Sequence, residues 1–136
     1  MIDWIGRLRE IYTRLTVLYL GGGRLALTET GGTHATDDLL EQDLYISETP
    51  LGVFKPLKMM IDFTAQTAAE TVVVRTYYRI KDGGDLIKKD EVTYAGAQDP
   101  DLINVELEPN RFGFKVTMQR TAGVEKDYDW GIFTEV

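Results

Sequence analysis

The sequence predicts a mainly β protein, an antiparallel sandwich preceded by one amphipathic α-helix. Apolar residues recur with helical spacing only before Gly21-Gly22-Gly23. After the glycines they alternate with polar residues, in runs broken by turn residues roughly every ten positions. Those turns are too short for parallel crossovers, so successive strands must run antiparallel.

The helix comes first. Asp3 is placed to cap it, its carboxylate accepting from the free amides of the first turn. Trp4, Leu8, Ile11, Leu15 and Leu18 follow at alternating spacings of four and three, the a/d seam of a coiled coil. Ile5, Tyr12 and Tyr19 fall one position further round, which widens the stripe beyond a two-stranded seam. A helix of this length is marginal alone in water, so it must dock on its own body, on copies of itself or on a partner. Its eight apolar residues, Trp4, Ile5, Leu8, Ile11, Tyr12, Leu15, Leu18 and Tyr19, are therefore the candidate oligomer interface. Gly21 suits the left-handed cap that ends a helix.

Composition bounds the rest. The chain has 136 residues, enough for one domain with a core of its own. It has no Cys, so disulfides and thiolate metal sites are excluded. A net charge of −7 disfavours nucleic acid and anionic lipid as partners. Arg7, Arg9, Glu10 and Arg14 interrupt the apolar residues at the start, so neither a signal peptide nor a membrane span is expected there.

Three segments result: 1–20 as helix, 21–33 as Gly-rich linker with an edge strand, and 34–136 as sandwich. Within the linker, Arg24 to Thr30 reads as a short edge strand and Thr30-Gly31-Gly32-Thr33 as a turn. Asp37 to Gln42 reads as a short helical turn capped by Asp37 or Thr36, and Leu44 to Ile46 as a strand. In Leu57 to Thr64, Leu57, Met59, Ile61 and Phe63 alternate with polar or flexible neighbours, the mark of a half-buried strand.

Thr71 to Lys81 is the strongest strand signal. Val72, Val74, Thr76, Tyr78 and Ile80 line one face, and Val73, Arg75, Tyr77, Arg79 and Lys81 the other. Asp82-Gly83-Gly84-Asp85 turns the chain into a return strand, Leu86 to Tyr94, whose broken period and charged centre indicate a bulge or an exposed edge. Ile103, Val105 and Leu107 form the next alternation, and Pro109-Asn110 the centre of a turn. Phe112 to Gln119 and Tyr128 to Phe133 supply the last two strands. Seven or eight strands imply two sheets packed ~10 Å apart.

Chemistry-bearing patterns are sparse. His34 and Ser47 are each the sole residue of their type, and nothing local brings them together. The acidic run Asp37, Asp38, Glu41, Asp43 lacks the spacing of a calcium loop. Glu106 with Glu108, and Asp127 with Asp129, are carboxylate pairs that polar-out alternation already explains. No cofactor or metal is expected, nor an enzymatic activity. Arg75, Tyr77, Arg79 and Lys81 form a basic stripe with an interleaved aromatic, a candidate partner surface. The plainer reading of the stripe is cross-strand pairing with Asp90 or Glu91. Tyr77, Tyr94 and Tyr128 are candidates for a carbohydrate platform.

The helix ending in Gly21-Gly22-Gly23, the LKMMIDFT strand at Leu57 to Thr64, and the meander from NVELEPNRFGFKVTMQRT (Asn104 to Thr121) into DYDWGIF (Asp127 to Phe133) give the chain a wider likeness. It resembles the small, cysteine-free, acidic β-sandwich or jelly-roll virion proteins of tailed phages and related prokaryotic viruses. The resemblance implies a capsid, capsid-decoration or head/tail accessory subunit. Such subunits assemble as trimers or larger symmetric rings, with other shell proteins as partners. The expectation is thus a self-associating structural protein with a jelly-roll-like fold, located in a virion if viral and otherwise cytoplasmic. The alternative is a carbohydrate- or protein-binding sandwich module.

Overall fold

A computed structural model describes residues 27–47 and 55–135. The expected helix, its eight-residue stripe and Gly21-Gly22-Gly23 lie outside the described residues. Within them the protein is built of eight strands: β1 (Leu27–Ala35), β2 (Gln42–Ser47), β3 (Lys55–Asp62), β4 (Thr71–Tyr78), β5 (Ile87–Ala95), β6 (Leu102–Val105), β7 (Phe114–Ala122) and β8 (Asp127–Glu135). They form two four-stranded sheets, ordered β1-β8-β3-β6 and β2-β7-β4-β5. Every pairing is antiparallel. The chain changes sheet at every connection except the β4–β5 hairpin.

Alternation sets which side of each strand is buried. Met59 and Ile61 of β3, Val105 of β6, and Tyr128 and Ile132 of β8 come from the first sheet. Val72, Val74 and Tyr78 of β4 and Phe114, Val116 and Met118 of β7 come from the second. Together with Leu44 and Phe63 they make one core, so the sheets are packed face to face. Aromatic contacts cross between them: Tyr45 of β2 meets Trp130 of β8 edge-on at 5.9 Å, and Phe63 packs on Tyr94 of β5 at 4.9 Å and on Tyr128 at 5.2 Å. Each fully buried side chain of this size contributes about 1.5–3 kcal/mol.

Five readings are corrected. Thr30-Gly31-Gly32-Thr33 is not a turn but part of β1, paired residue for residue with β8. The glycines serve packing: a Cβ on Gly31 would lie 2.7 Å from the Trp130 carbonyl oxygen, and Gly32 lies against the Trp130 indole. The sandwich therefore includes part of the segment read as linker. Asp37 to Gln42 holds bends rather than a helical turn, because Asp38 Oδ1 accepts from Leu40 N–H (2.7 Å), a local bond that competes with helix. β4 stops at Tyr78, so Ile80 is not inward but 77% exposed. The turn before β7 centres on Arg111 and Phe112, not Pro109-Asn110, because Asn110 Oδ1 accepts from the amides of Phe112 (2.9 Å) and Gly113. Tyr128 is fully buried and cannot present its ring to a carbohydrate. The return strand fares better: β5 is an edge strand, and its register with β4 shifts between Thr76 and Tyr77.

A polar clasp closes one end of the sandwich. Gln66, buried in the 63–70 loop, donates through Nε2 to the carbonyls of Tyr94 (2.9 Å) and Gly96 (2.8 Å) and accepts from the Tyr128 hydroxyl (2.9 Å). Burial and the nearby Glu70 charge push the Tyr128 phenol up to about 12. Glu70 Oε1 accepts from the backbone N–H and hydroxyl of Thr67, both at 2.7 Å, bonds that hold its carboxyl below the ordinary value. Gly123, at φ +86°, crosses so close that a Cβ would meet Glu70 Cα at 2.7 Å.

Candidate functional site

The largest polar assembly among the described residues lies on the outer face of the second sheet. Alternation along β4 turns Arg75 and Tyr77 outward. Register places Thr117 and Lys115 of β7 beside them on one flank, and Glu91 and Lys88 of β5 on the other. A loop from the first sheet completes the assembly. Thr36, at the end of β1, is anchored by Lys126 N–H donating to its hydroxyl (3.1 Å) and by Arg120 Nε donating to its carbonyl (2.9 Å). The chain then bends across and sets Glu41 on the face.

Arg75 is the hub. Its Nε donates to Glu91 Oε1 at 3.0 Å, and its Nη1 donates to Gln119 Oε1 at 2.8 Å and lies 3.4 Å from Glu41 Oε1. Glu41 Oε2 accepts from the Tyr77 and Thr117 hydroxyls. Lys115 Nζ lies 5.2 Å from the Tyr77 ring centroid and 3.4 Å from Asp43. Burial pushes the Glu41 carboxyl up, but the bonds from Thr117 and Tyr77 and the charges of Arg75 and Lys115 outweigh it and leave it below the ordinary value. Burial, and then the bond to Glu41, raise the Tyr77 phenol. The Glu91 carboxyl is lowered by its bonds to Lys88 and Arg75. Carboxylates neutralised in this way are poor bases, so the arrangement suits a rigid polar contact face better than proton transfer.

The four residues of the sequence stripe are thus divided. Arg75 and Tyr77 come together, with Arg75 paired across the hairpin to Glu91. Arg79 leaves the face: its N–H donates to the Gly113 carbonyl (3.0 Å) and its Nε to the Gly84 carbonyl (2.8 Å). Lys81 is exposed in the turn, where its carbonyl accepts from Gly84 N–H (3.0 Å). Glu41, Thr117 and Gln119 belong to the assembly and escaped sequence reasoning. The one signal for Glu41 was its membership of the acidic run.

Other candidates lie apart. His34 Nε2 is 3.2 Å from Gln42 Oε1, while Ser47 ends β2 opposite Phe114. Glu108 pairs with Lys89 at 2.9 Å, and Asp129 accepts from the Thr33 hydroxyl at 2.5 Å. Among the described residues no group of three or more His, Asp or Glu could hold a metal ion, and no helix is long and apolar enough to cross a membrane. No protein-family model matches the chain, and no curated protein matches it in sequence.

Proposed function

We propose that the protein is a non-enzymatic structural subunit that self-associates, most simply as a component of a virion shell or its accessories. The observation that carries this reading is the strand order. β1-β8-β3-β6 facing β2-β7-β4-β5, with the chain switching sheets at nearly every step, is the arrangement of a double-sheet jelly roll. That architecture recurs in capsid and lectin domains. Fold alone does not name a function, so the apolar stripe from Trp4 to Tyr19 supplies the second support. A stripe that wide needs a surface to cover it. Sites for regular polar contact are at hand in the rigid Arg75–Glu41 face.

Deleting residues 1–20 tests the reading. Light scattering of the full chain and the deleted chain, side by side, is expected to show an assembly in the first and a folded single copy in the second. Equal copy numbers in the two would sink the assignment of the stripe as the subunit contact.

A further inference from the structure

The outer face of the first sheet has a gap in its side chains. Gly31 of β1 and Gly131 of β8 stand opposite each other, and Met60 of β3 is next in the same row. Alternation turns this row outward, since Ile61 and Ile132 beside it are buried. The two glycines leave a shallow trough of about 240 Å³, closed at one end by Met60 and open at the other, where β1 is the sheet edge. Phe133 and Glu29, opposite each other, form one wall. Asp129 stands on the other side, with Asp62 and the 54% exposed Leu102 beyond it.

The charge around the trough is one-sided. Asp62 accepts from Thr64 N–H (2.8 Å) and Asp129 from the Thr33 hydroxyl (2.5 Å), but among the described residues neither they nor Glu29 has a cationic partner. Lys58, opposite Phe133, is exposed near the trough but does not line it. On the outer face of the second sheet, by contrast, Glu41, Asp43 and Glu91 already have their cations. An apolar trough between acids without cations fits an apolar partner with basic borders.

The chain carries such a partner before β1. On the helical spacing of Trp4 to Tyr19, Arg7 and Arg14 fall one position before Leu8 and Leu15 and so border the apolar stripe, while Asp3 and Glu10 fall away from it. We propose that the stripe of one copy docks across the trough of the next, with Ile11 over Gly31 and Gly131 and with Arg7 and Arg14 toward the carboxylates of the two walls. The proposal rests on the stripe being the subunit contact and adds the surface it meets. The spacings agree. Arg7 and Arg14 are seven residues apart, ~10.5 Å along a helix. The rows of Glu29 and Asp129 are four residues apart, ~13 Å along a strand. Residues 20–26 join the stripe to Leu27 at the rim of this same sheet and span up to about 23 Å, enough to carry it to a neighbouring copy. Stripe and trough are different patches, so the contact is head-to-tail and closes into a ring.

Gly131→Val in the full chain is the test. Gly131 is outside the left-handed region, and a Cβ there comes no nearer than 4.0 Å to the Thr30 carbonyl oxygen. Valine should therefore fill the trough while the chain melts no lower than the parent. In sedimentation equilibrium Gly131→Val is expected to weaken assembly at least tenfold, and Glu29→Lys several-fold. A full chain carrying both Leu8→Asp and Leu15→Asp should also stay a single copy. Mixed with Gly131→Val it should form a one-to-one pair, because one chain keeps its trough and the other its stripe. Gly131→Val assembling like the parent would overturn the trough as the docking surface and leave self-association standing. A mixture that stays as single copies, beside an assembled parent, would overturn docking between copies. A parent that is a single copy would overturn both the docking and the self-association beneath it.

Discussion

Replacing Gln66 with alanine removes three hydrogen bonds from the closed end of the sandwich at once. Two run to the Tyr94 and Gly96 carbonyls and one comes from the Tyr128 hydroxyl. Net loss is about 1 kcal/mol per bond, and a buried hydroxyl left unpaired adds about 1–3 kcal/mol. Gly96 keeps a second donor in Gln98 Nε2 at 3.1 Å, which softens the loss there. The expected cost is about 3–5 kcal/mol, a large share of the ~5–15 kcal/mol that holds a domain together. Tyr128→Phe removes one bond and should cost about 1–2 kcal/mol. The double variant should cost less than the sum by about 0.5–3 kcal/mol, because the two side chains share that bond. Urea unfolding followed by tryptophan fluorescence gives the four free energies. A Gln66→Ala cost within about 0.5 kcal/mol of zero, or strict additivity of the pair, would refute the clasp.

Three further outcomes follow from the same geometry. Gly123→Ala combines a left-handed backbone with a Cβ driven onto Glu70 Cα, and should lower stability by about 1–3 kcal/mol in urea. Glu70 has its carboxyl pKa depressed in the folded state, so its contribution is complete above the unfolded value of about 4.3 and is lost as pH falls through the folded value. Glu70→Gln should therefore be less stable at neutral pH yet nearly equal to the parent in acid, and a parallel offset at all pH values would contradict this. Arg75→Ala removes a cation from beside Glu41, so the Glu41 titration midpoint should move up when followed by carboxyl NMR, and an unmoved midpoint would break the network.

Strands β3, β4, β7 and β8 could be read from the chain because each buries one face, and burial imprints a period of two on residue choice. β1 could be read only as far as Thr30, as an edge strand, because Gly31 and Gly32 resemble a turn until the Trp130 carbonyl and indole that require them are brought opposite. Ile80 illustrates the reverse error. Its place in the alternation is correct, but β4 ends two residues earlier: the Arg79 N–H bond to the Gly113 carbonyl is the last in register with β7, and Ile80 lies beyond it in the exposed turn. The pairing of Arg75 with Glu91 was accessible, since a hairpin places nearby sequence opposite. Glu41 was not, because it reaches Tyr77 and Thr117 across 36 and 76 residues, a contact made only when β2, β7 and β4 have paired into the second sheet. Thr76 was visible as a polar residue on an apolar face, but that its buried hydroxyl has no hydrogen-bond partner among the described residues belongs to the folded protein alone.

The claim of a self-associating subunit is tested most directly by the copy number of the full chain in solution, measured by sedimentation equilibrium over a range of concentrations. The account predicts a mass of at least three copies of the 15.4 kDa chain. A mass of one copy at every concentration would contradict it.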